Sequence, residues 1–206
     1  MNFLAHLHLA EPTPESRLGS LLGDFVKGLP WDERYSPAIW QGIMEHRHVD
    51  VFTDAHPAWK RSRDILPEGL RRYAGIVVDI YYDFFLHRHW NRFSPNLELN
   101  DFIASVHEDL EGILDQAPAV AREAIEAMME QSWLLEYSTL EGIDRTLHRV
   151  SQRSPILISI FETSEILSGQ LPGMEKHFLA FYPDLLAYMP NLRDEIRAGR
   201  KAELSA

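Results

Sequence analysis

Apolar residues return every three or four positions along most of the chain, the spacing that lines one face of a helix. Ser or Thr followed by Pro marks a cap and a first helical position at Thr13-Pro14 and again at Ser36-Pro37. The first start predicts a helix from Pro14 to Lys27, stopped by Gly28 with Pro30 beyond. The second predicts one from Pro37 towards His56, ended by Pro57. After Pro67, through Arg92, Ile76, Val77, Ile80, Tyr81, Phe84, Phe85 and Leu86 keep helical spacing and read as a central helix. Beyond the SPNLELND loop, Phe102, Ile103, Val106, Leu110, Ile113 and Leu114 form another amphipathic face. Similar patterns run over Pro118–Met129, Leu140–Val150, Ile156–Leu167 and Gly173–Leu186. Strict alternation is confined to Ala5–Leu9, too short to found a sheet. The pattern predicts an all-α fold, one helical domain over residues 1–206, frayed only at Arg197–Ala206.

Composition narrows the chemistry open to such a bundle. With 206 residues and 45% hydrophobic content, the chain can bury a full core. It has no cysteine, so disulfides and thiolate metal sites are excluded, and any metal must be held by imidazole and carboxylate. MNFLAHLHLA lacks a basic lead-in, and no run approaches the roughly 18 apolar residues of a membrane span. Neither a signal peptide nor an anchor is expected, and the cytoplasm is the expected compartment. A formal charge of −11 argues against nucleic-acid and anionic-membrane partners, whose phosphates need Lys and Arg. One stretch runs the other way: Lys60, Arg61, Arg63, Arg71 and Arg72 outnumber Asp64 and Glu68 between Ala58 and Arg72. That cluster is either a solvated helix surface or a dock for an acidic protein or a phosphate ligand.

Candidate chemistry sits on helical stripes. His46 and Asp50 lie only about 40° apart around a helix and can face one ion, whereas His48 falls on nearly the opposite side. Asp54 continues the stripe as a ligand, a partner for His46 or a surface charge. Taken alone, one such pair is as readily a local contact between side chains. Asp79 and Asp83 repeat the spacing inside VVDIYYDFFL, where buried carboxylates are costly unless a cation or hydrogen bonds compensate them. His87 extends that stripe, and Arg88, His89 and Trp90 close the helix. Asp24 lies in LGSLLGDFVKG among small residues that allow close backbone approach. His6 and His8, in FLAHLHLA, are each open to a second reading as core histidines satisfied by a carbonyl.

Taken in order, MNFLAHLHLA, LLGDFVKG, HRHVDVFTD, VVDIYYDFFLHRHW and FYPDLLAYM resemble the acyl carrier protein phosphodiesterases, or acyl carrier protein hydrolyases, over nearly the whole chain. The resemblance implies a divergent HD-type metal phosphohydrolase: an HD-domain-like bundle with additional C-terminal helices that releases 4′-phosphopantetheine from the serine of holo acyl carrier protein. No His-Asp dipeptide occurs in this chain, so the ligand set of that class cannot be copied. The positions carried over are Asp24, His46, Asp50, Asp79 and Asp83, with His6 and Asp54 beside them. Mn²⁺ is the expected metal, with Mg²⁺ or Fe²⁺ as substitutes. In the implied reaction Asp79 or Asp83 takes the water proton, His89 or a metal-bound water protonates the departing serine oxygen, and Arg47 neutralises a phosphate oxygen. Lys60, Arg61, Arg63, Arg71 and Arg72 become the expected face for the acidic carrier.

Three rivals share parts of the pattern. An HD-like phosphohydrolase acting on a nucleotide or alarmone would use the same metal logic. A diiron bundle needs Glu-x-x-His on two helices, and only Glu45 with His48 has that spacing in the core region. A binding module without chemistry would leave the cost of Asp79 and Asp83 unexplained.

Overall fold

The computed structural model describes residues 2–28, 34–152 and 167–204, with side chains to residue 199. Eleven α-helices and no strand occur among the described residues. Helix α1 spans Phe3–Leu9, α2 Pro14–Leu22, α3 Pro37–Ala55 and α4 Pro57–Asp64. A 3-10 turn at Glu68–Tyr73 leads into α5, Ala74–Arg88, and the short α6, Trp90–Phe93. Then come α7 at Leu99–Glu111, a second 3-10 turn at Leu114–Gln116, and α8 at Ala119–Glu130. Helices α9 at Trp133–Glu136, α10 at Leu140–Ser151 and α11 at Leu171–Leu204 complete the order. The all-α expectation holds.

Caps fix the best-read boundaries. The side chains of Thr13 and Ser36 accept from the N–H of Ser16 and Ile39, and Pro follows each at the first helical position. His56 closes α3 and caps α4, its ring accepting from the Ala58 N–H, so the basic stretch expected as a surface is a separate helix followed by a 3-10 turn. The central segment from Pro67 therefore becomes that turn, α5, a break at His89, and α6. Helix α2 ends at Leu22 rather than Lys27, and Gly28 adopts φ 101° after a non-helical stretch. The alternation at Ala5–Leu9 is a helix, not a strand, because α1 is buried nearly all round and needs no polar face. Helix α11 runs through Pro183 and Pro190 far past Leu186, and its backbone stays helical to Leu204 where fraying was expected. The helix expected at Ile156–Leu167 lies outside the described residues, except for Leu167.

Packing sets α1 against α2 and α5, α2 against α3, and α11 across α3, α4 and α5. One apolar cluster draws from all eleven helices. Helices α2 and α3 touch backbone to backbone: a Cβ on Gly19 would stand 2.3 Å from the Ile39 carbonyl oxygen and 2.9 Å from the Gly42 Cα. That contact brings the chain after α2 against the middle of α3, where His46 and Asp50 lie.

Candidate metal centre

His6 of α1 and His46 of α3 stack with ring centroids 3.8 Å apart and 13° between their planes. Asp50 stands one helical turn beyond His46 and reaches both rings: Oδ2 lies 3.2 Å from His46 Nε2 and Oδ1 lies 3.3 Å from His6 Nε2. Asp24, in the turn after α2, places Oδ1 3.4 Å from His46 Nε2. Both Nε2 atoms are buried and make no hydrogen bond among the described residues. Ligand atoms of His6, His46 and Asp50 all lie within 4.8 Å of one another. Two unbonded imidazole nitrogens and a carboxylate aimed at one point fit a divalent cation, with Asp24 able to contribute from the rim.

Local sequence explains how the rings are held. The Ser20 carbonyl accepts from His46 Nδ1 at 2.6 Å, so Nδ1 carries the proton and Nε2 faces the other ligands. Gly23 makes room: a Cβ there would stand 2.2 Å from the His46 ring. Just after Gly23 the chain turns and brings Asp24 beside His46. Arg47 donates to the carbonyls of Val26 and Gly28 and pins the same stretch. It was expected on a phosphate oxygen; the structure spends its guanidinium on backbone.

Electrostatics divide one proton between the stacked rings. Burial opposes a charged His46, but Asp24 and Asp50 outweigh it and push its pKa up to about 9. Burial and the adjacent His46 charge pull His6 down to about 4. Burial works against ionised Asp50 as well, yet the two imidazoles hold it well below the usual carboxylate range. A cation entering the group therefore displaces a proton from His46.

Other expected residues go elsewhere. Asp83 is fully buried, and its oxygens accept from the backbone N–H of Leu4 at 2.8 Å and Ala5 at 3.2 Å. It faces the first turn of α1, not the cluster. Asp79 accepts from Trp59 Nε1 at 3.2 Å and also stands outside the convergent group, although the Asp50 charge and, above all, burial raise its pKa. His89 binds Glu175 at 2.7 Å, and its neighbour Arg88 pairs with the same carboxylate. Asp54 and His48 are exposed, consistent with the helical geometry that set His48 aside. His8 is a core histidine, with Nδ1 on the Tyr182 hydroxyl and Nε2 on Ser94, both at 2.7 Å. Glu45 is buried against Gln41 and Arg193, so its pairing with exposed His48 makes no diiron ligand set. Lys60, Arg61, Arg71 and Arg72 are exposed and Arg63 is partly exposed, beside Asp64. No helix among the described residues is long and apolar enough to cross a membrane.

Sequence reasoning missed the Ser20 carbonyl and Arg193, and weighed Glu45 only as a diiron ligand. Only Glu45 left a signal, as the i+4 neighbour of Gln41.

Residues 1–185 match the family described as acyl carrier protein phosphodiesterase. Proteins named acyl carrier protein phosphodiesterase from Escherichia coli strain SMS-3-5 and from Salmonella dublin are 35% identical over 187 residues, covering 91% of this chain and 96% of each relative. No solved structure matches. The chain belongs to the acyl carrier protein phosphodiesterase family.

Proposed function

We propose that this chain hydrolyses the phosphodiester that joins 4′-phosphopantetheine to the serine of holo acyl carrier protein, leaving the apo carrier, and that it does so with a divalent cation. The observation that most supports this reading is the convergence of His6, His46 and Asp50, with Asp24 at the rim, in a member of this family. Two imidazoles beside carboxylates suit Mn²⁺ first, with Fe²⁺ or Mg²⁺ as substitutes. A cation held there supplies Lewis acidity and acidifies a water. The chain's own groups do the rest. His46 is oriented through Ser20, Asp50 bridges the two rings, and Asp24, on a turn fixed by Arg47, closes the set. Asp79 is the proton acceptor in this reading: burial and the Asp50 charge raise its pKa above the usual carboxylate value, and Trp59 fixes one oxygen.

The carrier docks on Lys60, Arg61, Arg63, Arg71 and Arg72, because an acidic protein meeting a chain of net charge −11 needs a local basic face. Changing Arg61, Arg63, Arg71 and Arg72 to Glu raises KM for the carrier and leaves hydrolysis of a small phosphodiester intact; an unchanged KM removes this face from the account. The activity itself is tested by incubating the protein with holo carrier and Mn²⁺ and weighing the carrier. Loss of the phosphopantetheine mass is expected, and no mass change across several holo carriers contradicts the proposal.

A further inference from the structure

Helix α1 has seven residues, too few to hold itself in water, yet it carries His6. Its end groups must find partners outside the helix. Asn2, at the cap position, gives its side chain to the Tyr137 hydroxyl at 2.7 Å and caps nothing. Asp83 takes over, accepting from the N–H of Leu4 and Ala5 across 79 and 78 residues of sequence. At the other end, Arg193 donates to the Leu9 carbonyl, and its Nε donates to Glu45 at 3.2 Å. Glu45 is buried, precedes His46 and accepts from Gln41 at 2.7 Å. Asp83 thus accepts at the amino end of α1 and Arg193 donates at its carboxyl end, so the free groups at both ends of the helix are taken up. Arg193 lies past residue 185, the last that the family match covers.

We infer that Asp83 and Arg193 are positioning residues that hold α1 by its two ends, with Arg193 also tying it to α3, so that His6 stays stacked on His46. The two rings belong to different helices, and their stacking at 3.8 Å depends on where those helices are held. Asp83 fixes α1 against α5, and Arg193 fixes α1 and α3 against α11 with one side chain. The inference rests on the metal reading of the centre, and its test separates the two.

Three variants are compared with the metal-free wild type: Arg193→Met, Arg193→Met with Glu45→Gln, and Asp83→Asn. Urea unfolding gives stability, calorimetric titration with Mn²⁺ gives affinity, and imidazole NMR shifts report the rings. Arg193→Met should lose stability, because Glu45 is left buried without its counter-ion, and should bind Mn²⁺ roughly tenfold more weakly or worse, the usual cost of losing an outer partner. The double variant should regain most of the stability but not the affinity, since the Leu9 carbonyl remains unheld. Asp83→Asn, which replaces one accepting oxygen with an NH₂, should weaken Mn²⁺ binding and move the His6 resonances more than those of His46. Affinity that returns with stability in the double variant overturns the inference, leaving Arg193 as a counter-ion only. Unchanged affinity and unmoved His6 signals in Arg193→Met and Asp83→Asn overturn it as well. A wild type that binds no Mn²⁺ defeats the metal reading; the His6 shifts then decide, with movement upholding the clamp and no movement overturning it.

Discussion

Helices α3 and α5 carry the same device, two charged side chains four residues apart, and put it to different uses. His46 and Asp50 lie on a face of α3 that meets the end of α2 and the His6 side of α1, so their ligand atoms gather with that of His6 within 4.8 Å of one another. Asp79 and Asp83 lie on a face of α5 that meets Trp59 and the amino end of α1, and their oxygens find N–H donors there. Equal spacing secures a shared face. What that face meets decides whether the pair gathers with other ligand atoms or is taken up by N–H donors.

The largest expected effect separates the two pairs outright. His46→Ala or Asp50→Ala should reduce Mn²⁺ affinity and kcat/KM by more than about a hundredfold, since even partners one step removed from ligands are worth about 10- to 100-fold. Asp83→Asn should show the smaller loss of an indirect contact. Equal losses at Asp50 and Asp83 in paired calorimetric and kinetic assays would erase the distinction.

Gly23→Ala tests how the α3 pair is presented. The added methyl would stand 2.2 Å from the His46 ring, so backbone or ring must shift. Mn²⁺ affinity should fall by about 10- to 100-fold while the helix content by circular dichroism is kept.

The two pairs also carry opposite pH signatures. Asp50 is held down, so its contribution to stability is present above the usual carboxylate pKa and fades only as pH falls. Burial pushes Asp83 the other way, up to about 7 from 3.8, so the folded state holds a proton there that the unfolded chain has released. Its contribution is therefore complete below about pH 4 and is lost as pH rises through about 7, a change of about 2 to 4 kcal/mol at most. Urea midpoints measured from pH 4 to 8 should fall more steeply with pH in the wild type than in Asp83→Asn. Parallel curves would show that Asp83 is ionised throughout.

Smallest of all should be His48→Ala and Asp54→Asn. Both side chains are exposed, and each change should alter kcat/KM by less than about twofold, as for ordinary surface sites.

Much of this could be read from the chain because local chemistry sets it. Thr13-Pro14, Ser36-Pro37 and Pro57 mark real helix ends, since a cap and a fixed φ act within one turn. His46 with Asp50 followed from helical geometry, and Asp24 from its small neighbours. The misses needed the fold. Alternation in α1 hid a helix because burial on every side removes the amphipathic signature, and α11 outran its pattern through two prolines. Asp83 stood out correctly as an expensive carboxylate, but compensation by a cation and by two amides looks the same in sequence. Arg193 lies 148 residues from Glu45, and nothing local ties the two.

If His6 and His46 together face one divalent ion, that ion carries two imidazoles. Electron spin-echo spectroscopy of Mn²⁺ bound to the protein, with histidine labelled with ¹⁵N, counts the coordinated imidazoles directly. Two coupled nitrogens are expected in the wild type, one in His6→Gln and two in Asp79→Asn. Bound Mn²⁺ with no imidazole coupling, or a count unchanged by His6→Gln, would contradict that expectation.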